Sequence, residues 1–435
     1  VLDATVNGNW ICQRDDTGDI MSKPPLLTWL QALATLPFGR GNLFSLFFPN
    51  AVAVLLAMWL IFRFGTASFG RRAGFFAAMI YLLCPAGLKQ IAFARTDPLF
   101  TCLILSAALV AYRARLTGRG WVTFWVIAAA ITLTKGPLGV LMAAGGLLGL
   151  IGFRRDEHRS TCIQHVGGMA LFLAITVGWG LLAYAAYGQD LIAKMIGKEL
   201  VGHMTGQYKN IIPGTLFYKP TLYVFSRFLP WSPLVGVALW RMGRRPTHTE
   251  AERLPLHFLR AYLLASLALL SLSPHQRADL VLPLLPAAAL LAGRELASLI
   301  RPTSTRRFLL RWAVGLGLCL LVSGIYYGTI RTRHRRVIQT RMMQEFARSV
   351  QERLGPESRL VYVDVPFAAQ FFLNTMRPRH SYEEAARLLA GPDAVLVATQ
   401  RPERIREHAD PTLNLTEILR VPETGPAAVV VLSNR

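Results

Sequence analysis

The sequence predicts a mainly α polytopic membrane protein with a small C-terminal α/β domain, and three observations carry that prediction. Of the 435 residues, 53% are hydrophobic and only 17% charged, and apolar runs long enough to cross a bilayer recur between short polar loops. The loops around 63–72, 113–119, 154–159, 241–253 and 294–311 carry 18 arginines and no lysine, which marks their side of the membrane as cytoplasmic. Past residue 336 the apolar runs shorten to strand length and alternate with amphipathic stretches, as an α/β domain requires. The formal net charge of +22 would point to nucleic acid in a soluble chain. Here the basic residues flank apolar runs, so they report topology and exclude a nucleic-acid partner.

Residues 1–41 read as a first outer loop. In MSKPPLLTWL (21–30), Lys23 is followed by two prolines that fix the backbone and forbid ordinary helix continuation. The apolar run behind them then lies along the membrane surface as an interfacial helix. Residues 1–20 hold no apolar anchor although this topology puts them outside, so a span upstream of Val1 is expected. Residues 42–330 form the transmembrane domain, with spans expected at 42–62, 73–92, 98–112, 121–134, 138–153, 166–187, 221–240, 256–272, 280–297 and 308–329. The third and fourth are short for a bilayer. The cluster RTRHRR (331–336) stands outside against the positive-inside tendency, outvoted by the earlier loops.

Residues 337–435 form the small extracytoplasmic α/β domain. LVYVDV (360–365) and DAVLVATQ (393–400) read as buried strands, SYEEAARLLAG (381–391) and RPERIREHA (401–409) as amphipathic helices. No glycine-rich phosphate loop opens a helix there, so a supporting or docking role is expected. The five cysteines, Cys12, Cys84, Cys102, Cys162 and Cys319, form no CxxC pair and no even framework, which argues against disulfides and thiolate metal sites.

Polar groups gather on the outer side. Asp97 in FARTDPLF (93–100) and Lys135 in LTKGPLG (133–139) stand at successive outer mouths. The outer loop 188–220 holds Lys198, Glu199 and His203, and the loop SPHQRAD (273–279) holds His275, Arg277 and Asp279. All seven lysines, Lys23, Lys89, Lys135, Lys194, Lys198, Lys209 and Lys219, fall outside, where compact ammonium groups suit a lipid phosphate. Replacement of lysine by arginine elsewhere accounts for most of that bias. Taken singly, each residue reads as a solvated charge or a helix cap; Asp97 before Pro98 fits an N-cap. Their gathering at one membrane boundary is what points to a site.

Five motifs occur in order over residues 8 to 300: KPPLLTWL, ARTDPLF, LTKGP, RFLPWSP (227–233), and a polar loop running into LVLPLLPAAALL (280–291). In that order they resemble the GT-C membrane glycosyltransferases, and more closely the ArnT-like, protein-mannosyltransferase superfamily. The resemblance implies a GT-C-like helical bundle and transfer of a sugar from a polyprenyl-phosphate carrier to a lipid, glycan or protein acceptor at the outer face. It also implies that Lys23, matching the lysine of the K-P-P motif, meets the carrier phosphate.

Breaking a sugar–phosphate bond builds positive charge on the anomeric carbon and negative charge on the departing phosphate. A carboxylate can then serve as base and cations can stabilise the leaving group. In the family the usual base is an aspartate just after the first span, a position that would fall about a dozen residues before Val1. Asp97, which matches a second family aspartate, is the best remaining carboxylate and the expected catalytic residue. Lys23, Lys135, His203 and Arg277 are the expected substrate-binding residues.

Two departures matter. Close relatives place a metal-holding glutamate before K-P-P, where this chain has Ser22, and a tyrosine where it has Leu280. The resemblance therefore assigns no metal site, leaves a divalent cation open with His203 facing it, and does not carry over an aminoarabinose or lipid A substrate. Two other readings stand beside the enzyme. A lipid-linked-anion transporter or flippase would show paired interrupted helices in two related halves, and no internal repeat is found. A catalytically inactive lipid-binding scaffold would lack the upstream acidic motif.

Overall fold

The structure is a computed structural model that describes residues 1–87, 94–153, 159–202, 216–244, 250–274, 276–300, 335–355, 358–423 and 428–434, with isolated residues between 307 and 325. Five of the described helices are long and apolar enough to cross a membrane: Leu43–Phe69, Thr96–Thr117, Thr161–Met195, Ala251–Leu272 and Ala278–Leu299. The apolar pair Lys219–Arg227 and Ser232–Arg244, bent by 117°, has the make-up of a broken span or a re-entrant loop. Shorter apolar helices, Leu26–Phe38, Trp121–Lys135 and Leu138–Leu150, fill the bundle. The chain is a multi-pass membrane protein.

Small residues set the closest helix approaches, as packing in lipid demands. A Cβ on Gly74 would lie 2.6 Å from the Phe62 carbonyl oxygen and from the Thr66 nitrogen, both backbone atoms of the neighbouring helix. One on Gly293 would lie 2.5 Å from the Ala77 nitrogen. Around these contacts Phe76, Tyr81, Ile104, Phe258 and Tyr262 are fully buried.

Several expected spans change on folding. The third is not short: its helix runs Thr96–Thr117, 22 residues, because polar residues at both ends join the helix that the apolar core begins. The second ends early, at Leu83, since Cys84 precedes Pro85 and takes an extended backbone (ψ 148). The seventh is broken: Pro230 lacks an N–H and disfavours helix at Leu229, so the chain turns between Arg227 and Ser232. The outer loop 188–220 begins as structure rather than loop. The Arg159–Leu191 helix kinks at Gly188 (φ 56) and continues as a π-helix, Ile192–Gly202. Most of the tenth span, and His203, His275, Lys89, Lys209 and the Lys198 and Glu199 side chains, lie outside the described residues.

The two ends of the bundle differ chemically. At the end holding the arginine-rich loops, buried Glu295 receives Arg241 at 2.6 Å and Arg294 at 2.8 Å, and Arg294 also reaches Glu252 at 2.7 Å. At the other end stand the first loop with Lys23, and Asp97, Lys135 and Arg277.

The C-terminal part has three layers. A four-stranded sheet runs in the order β1 (Leu360–Val363), β2 (Leu396–Thr399), β4 (Val429–Ser433), β3 (Thr416–Val421), with only the β1–β2 pair parallel. One face packs on Met343, Phe346 and Val350 of the Arg335–Arg353 helix. The other packs on Ala385, Leu389 and Ile405 of helices Tyr382–Leu389 and Pro402–His408. The Ser381 hydroxyl and Glu384 form a reciprocal capping box that starts the first of these two. The two expected strands and two expected helices are present, while β3, β4 and the Arg335–Arg353 helix are additional to the sequence reading.

Candidate functional site

The first loop folds into a hairpin. Arg14 bridges Ile20 antiparallel, Met21 N donates to the Gln13 carbonyl at 2.9 Å, and the turn closes at Gly18 (φ 82). The Asp15 carboxylate accepts from the backbone N–H groups of Thr17 and Asp19 at 2.9 and 3.0 Å, an Asx-type turn that stiffens the tip. The hairpin is tied to the long Arg159–Leu191 helix: Trp179 Nε1 donates to the Ile11 carbonyl at 2.8 Å and Tyr187 OH to that of Cys12 at 2.7 Å. Asp19 pairs with Lys194 beyond the kink. Lys23 and its two prolines follow, leading straight into the Leu26–Phe38 helix, whose N-cap is Pro25.

The Thr96–Thr117 and Trp121–Lys135 helices form a tight hairpin. Gly118 (φ 71) and Gly120 (φ 115) make the turn, and Gln164 clamps it by accepting from Gly120 N at 2.9 Å and donating to Gly118 O at 3.0 Å. Antiparallel packing then returns Lys135, the last helical residue, to the start of the other helix. There its ammonium forms an ion pair with Asp97, the two side chains only 17% and 13% exposed. Phe100, one turn on from Asp97 on the same helix face, places its ring centroid 5.6 Å from the same ammonium. Asp97 is not an N-cap. Arg95 occupies the cap position in an extended conformation, no side chain caps the helix, and the Asp97 carboxylate is turned to Lys135.

A second cluster begins two residues before Asp97 in the chain. Asp279 Oδ2 receives Arg95 Nη1 at 2.8 Å and lies 3.8 Å from Arg277 Nη2. Arg95 is two residues from Asp97, and the Arg95 carbonyl accepts from buried Asn50 at 2.8 Å. The 277–283 segment is steadied by Tyr262, whose hydroxyl donates to the Pro283 carbonyl at 2.6 Å inside the core. Gln31 of the Leu26–Phe38 helix donates to the Leu46 carbonyl at 2.9 Å, joining the helix behind Lys23 to the same end of the bundle.

Of the expected site residues, Asp97 and Lys135 are in contact, and Arg277 shares Asp279 with Arg95, which stands two residues before Asp97. Lys23 stands at the same end, at the start of the Leu26–Phe38 helix. His203 lies outside the described residues. Arg95 is the residue that sequence reasoning missed. Its signal was present as a repeated Arg-x-Asp at two helix starts, Arg95–Asp97 and Arg277–Asp279. Within these two clusters three cations meet two carboxylates, a local balance suited to an anion at the membrane boundary. Among the described residues no group of three His, Cys, Asp or Glu side chains is arranged to hold a metal ion.

This helical bundle, polar at one boundary and carrying a small sheet domain, is a multi-pass membrane protein with the fold of known polyprenyl-phosphate-dependent glycosyltransferases. A family profile described as dolichyl-phosphate-mannose-protein mannosyltransferase matches residues 22–180, a stretch that includes Lys23, Asp97 and Lys135. The undecaprenyl phosphate-alpha-4-amino-4-deoxy-L-arabinose arabinosyl transferase 2 of Pseudomonas fluorescens (strain Pf0-1) is 28% identical over 334 residues, 74% of this chain and 58% of that protein. The corresponding arabinosyl transferase of Pseudomonas savastanoi pv. phaseolicola (strain 1448A / Race 6) is 28% identical over 299 residues, 66% of this chain and 53% of its own. The chain thus spans just over half the length of these curated relatives. The structure of ArnT from Cupriavidus metallidurans bound to undecaprenyl phosphate superposes with a TM-score of 0.71 at 18% identity, covering 100% of this chain and 92% of that one. The fold is ArnT-like over its whole length, and the resemblance read in the sequence is borne out.

Proposed function

We propose that the chain is a glycosyltransferase that takes a sugar from a polyprenyl-phosphate carrier and delivers it to a lipid, glycan or protein acceptor at the outer face of the cytoplasmic membrane. The observation that carries this reading is the standing of the Asp97–Lys135 pair and the Arg95–Asp279–Arg277 cluster, two residues apart in the chain, in an ArnT-like fold. The Pseudomonas relatives are named for an undecaprenyl-phosphate sugar, and the Cupriavidus structure holds undecaprenyl phosphate. Both support a polyprenyl-phosphate donor here. Ser22 argues against the same sugar.

In this reading the cations of the two clusters face the departing lipid phosphate, and their attraction grows as the sugar–phosphate bond breaks. Lys23 holds the phosphate in ground and transition states alike, and Arg277 and His203 hold the donor. Lys135 holds the Asp97 carboxylate in place, and Asp97 orients or deprotonates the acceptor hydroxyl. Residues 1–41, 42–330 and 337–435 act as the carrier-binding loop, the membrane scaffold and an extracytoplasmic support.

The test is transfer from a radiolabelled polyprenyl-phosphate sugar by protein purified into lipid nanodiscs. Lys23→Ala is expected mainly to weaken donor binding, and Asp97→Asn to cut turnover by about 100-fold or more with donor binding kept. Near-normal turnover in Asp97→Asn would remove Asp97 from the mechanism.

A further inference from the structure

The C-terminal domain touches the membrane part at both flanks of the Lys23 loop. On one flank, Asp16 at the tip of the N-terminal hairpin forms an ion pair with Arg379, and Arg379 N donates to the Asp16 carbonyl at 3.0 Å. The Asp16 side chain is only 14% exposed. Arg379 is itself held rigidly. It lies on a short strip bridged in parallel to Tyr362 of β1, with His380 N bonded to the Tyr362 carbonyl at 3.0 Å. On the other flank Gly41 (φ 67) comes so close that a Cβ would lie 2.8 Å from Asn374 Oδ1 and 3.0 Å from the Phe371 carbonyl. Lys23, Pro24 and Pro25 lie in the chain between these two anchors. The opposite side of the hairpin is pinned to the long helix through Trp179, Tyr187 and Lys194.

We propose that the C-terminal domain is a clasp that positions the Lys23 loop for the lipid phosphate, and that Asp16 and Arg379 are positioning residues for donor binding. The proposal rests on the donor reading given above. The physical basis is conformational entropy: a loop carrying a cation binds an anion more tightly when its backbone is already ordered. The double proline stiffens the segment locally. It cannot set where the segment stands relative to the bundle, which only contacts at both flanks can do. An ion pair backed by a main-chain hydrogen bond defines distance and direction together.

The experiment uses the whole protein in nanodiscs and two readouts. The first is the affinity for undecaprenyl phosphate in native protein, Asp16→Arg, Arg379→Asp, the double charge swap, and Lys23→Ala. The second is backbone hydrogen exchange over residues 10–25. Each single swap is expected to weaken binding about tenfold, to speed exchange in 10–25, and to leave the melting temperature of the bundle unchanged. The double swap is expected to restore both readouts. A purely structural contact would lower the melting temperature and leave affinity untouched, which would overturn the clasp. Normal affinity in the single swaps, with Lys23→Ala weakened, would overturn the clasp alone. Normal affinity in Lys23→Ala would overturn the donor reading, and unchanged exchange in the single swaps would then reject the clasp independently.

Discussion

The Asp97–Lys135 pair lends itself to a quantitative test by a double-mutant cycle with Asp97→Asn and Lys135→Gln. Both substitutions keep size and remove charge. A contact ion pair at an effective permittivity of about 20 gains about 4 kcal/mol of Coulomb energy. Exposed pairs retain at most about 1 kcal/mol after solvation and side-chain entropy, while breaking a fully buried pair costs about 3–5 kcal/mol. With side chains 13% and 17% exposed, this pair lies between those limits, near 2 kcal/mol. Asp97 also sits in the first turn of its helix, where a negative charge adds about 0.5 kcal/mol through the helix dipole. Asp97→Asn should therefore cost about 2.5 kcal/mol in the native background, the sum of the pair and dipole effects. In the Lys135→Gln background it should cost only the dipole contribution, about 0.5 kcal/mol. The coupling energy is then about 2 kcal/mol. Equilibrium unfolding by SDS titration in mixed micelles measures all four corners. A coupling below about 0.5 kcal/mol would refute the pairing and the partly buried environment assigned to it.

Two further expectations follow from packing and titration. Gly74→Ala should destabilise the bundle by about 1–3 kcal/mol, because the new Cβ meets backbone atoms that cannot move aside; the SDS unfolding midpoint measures it, and an unchanged midpoint would contradict the close approach. In the C-terminal domain Arg420 donates to both oxygens of Glu417, at 2.6 and 2.9 Å, and holds its carboxyl below the ordinary glutamate value. A depressed folded value stabilises the domain above the unfolded value and loses that contribution as pH falls through the folded one. Acidification below about pH 4.5 should therefore loosen this sheet edge. Hydrogen exchange over 416–433 should speed up there in native protein and show a flatter acid dependence in Glu417→Gln.

The sequence's own legibility follows from how local each feature is. Most of the apolar runs, the double proline after Lys23, the arginine bias and the β1 and β2 strands all depend on residues close in the chain. Periodicity and composition therefore revealed them. Errors arose where local signals competed. Pro230 inside an apolar run broke a span that hydropathy alone made continuous. Asp97 before Pro98 looked like a cap until Lys135 drew its carboxylate away. β3 and β4 went unread because an antiparallel pair closing a mixed sheet has little local signature beyond short apolar runs.

The site divides in the same way. The residue types at the outer mouths, and the Arg-x-Asp repeat, were present in the letters. Which cation meets which carboxylate was not: Lys135 reaches across 38 residues to Asp97, and Arg95 across 184 to Asp279. No pattern in the chain encodes Asp16 meeting Arg379 or Gly41 packing against Asn374. The sequence by itself determined a membrane bundle with charged groups gathered at one boundary, because burial of apolar side chains depends on composition and period. Tertiary structure alone decided the pairings, because ion pairs depend on distances that long-range packing sets.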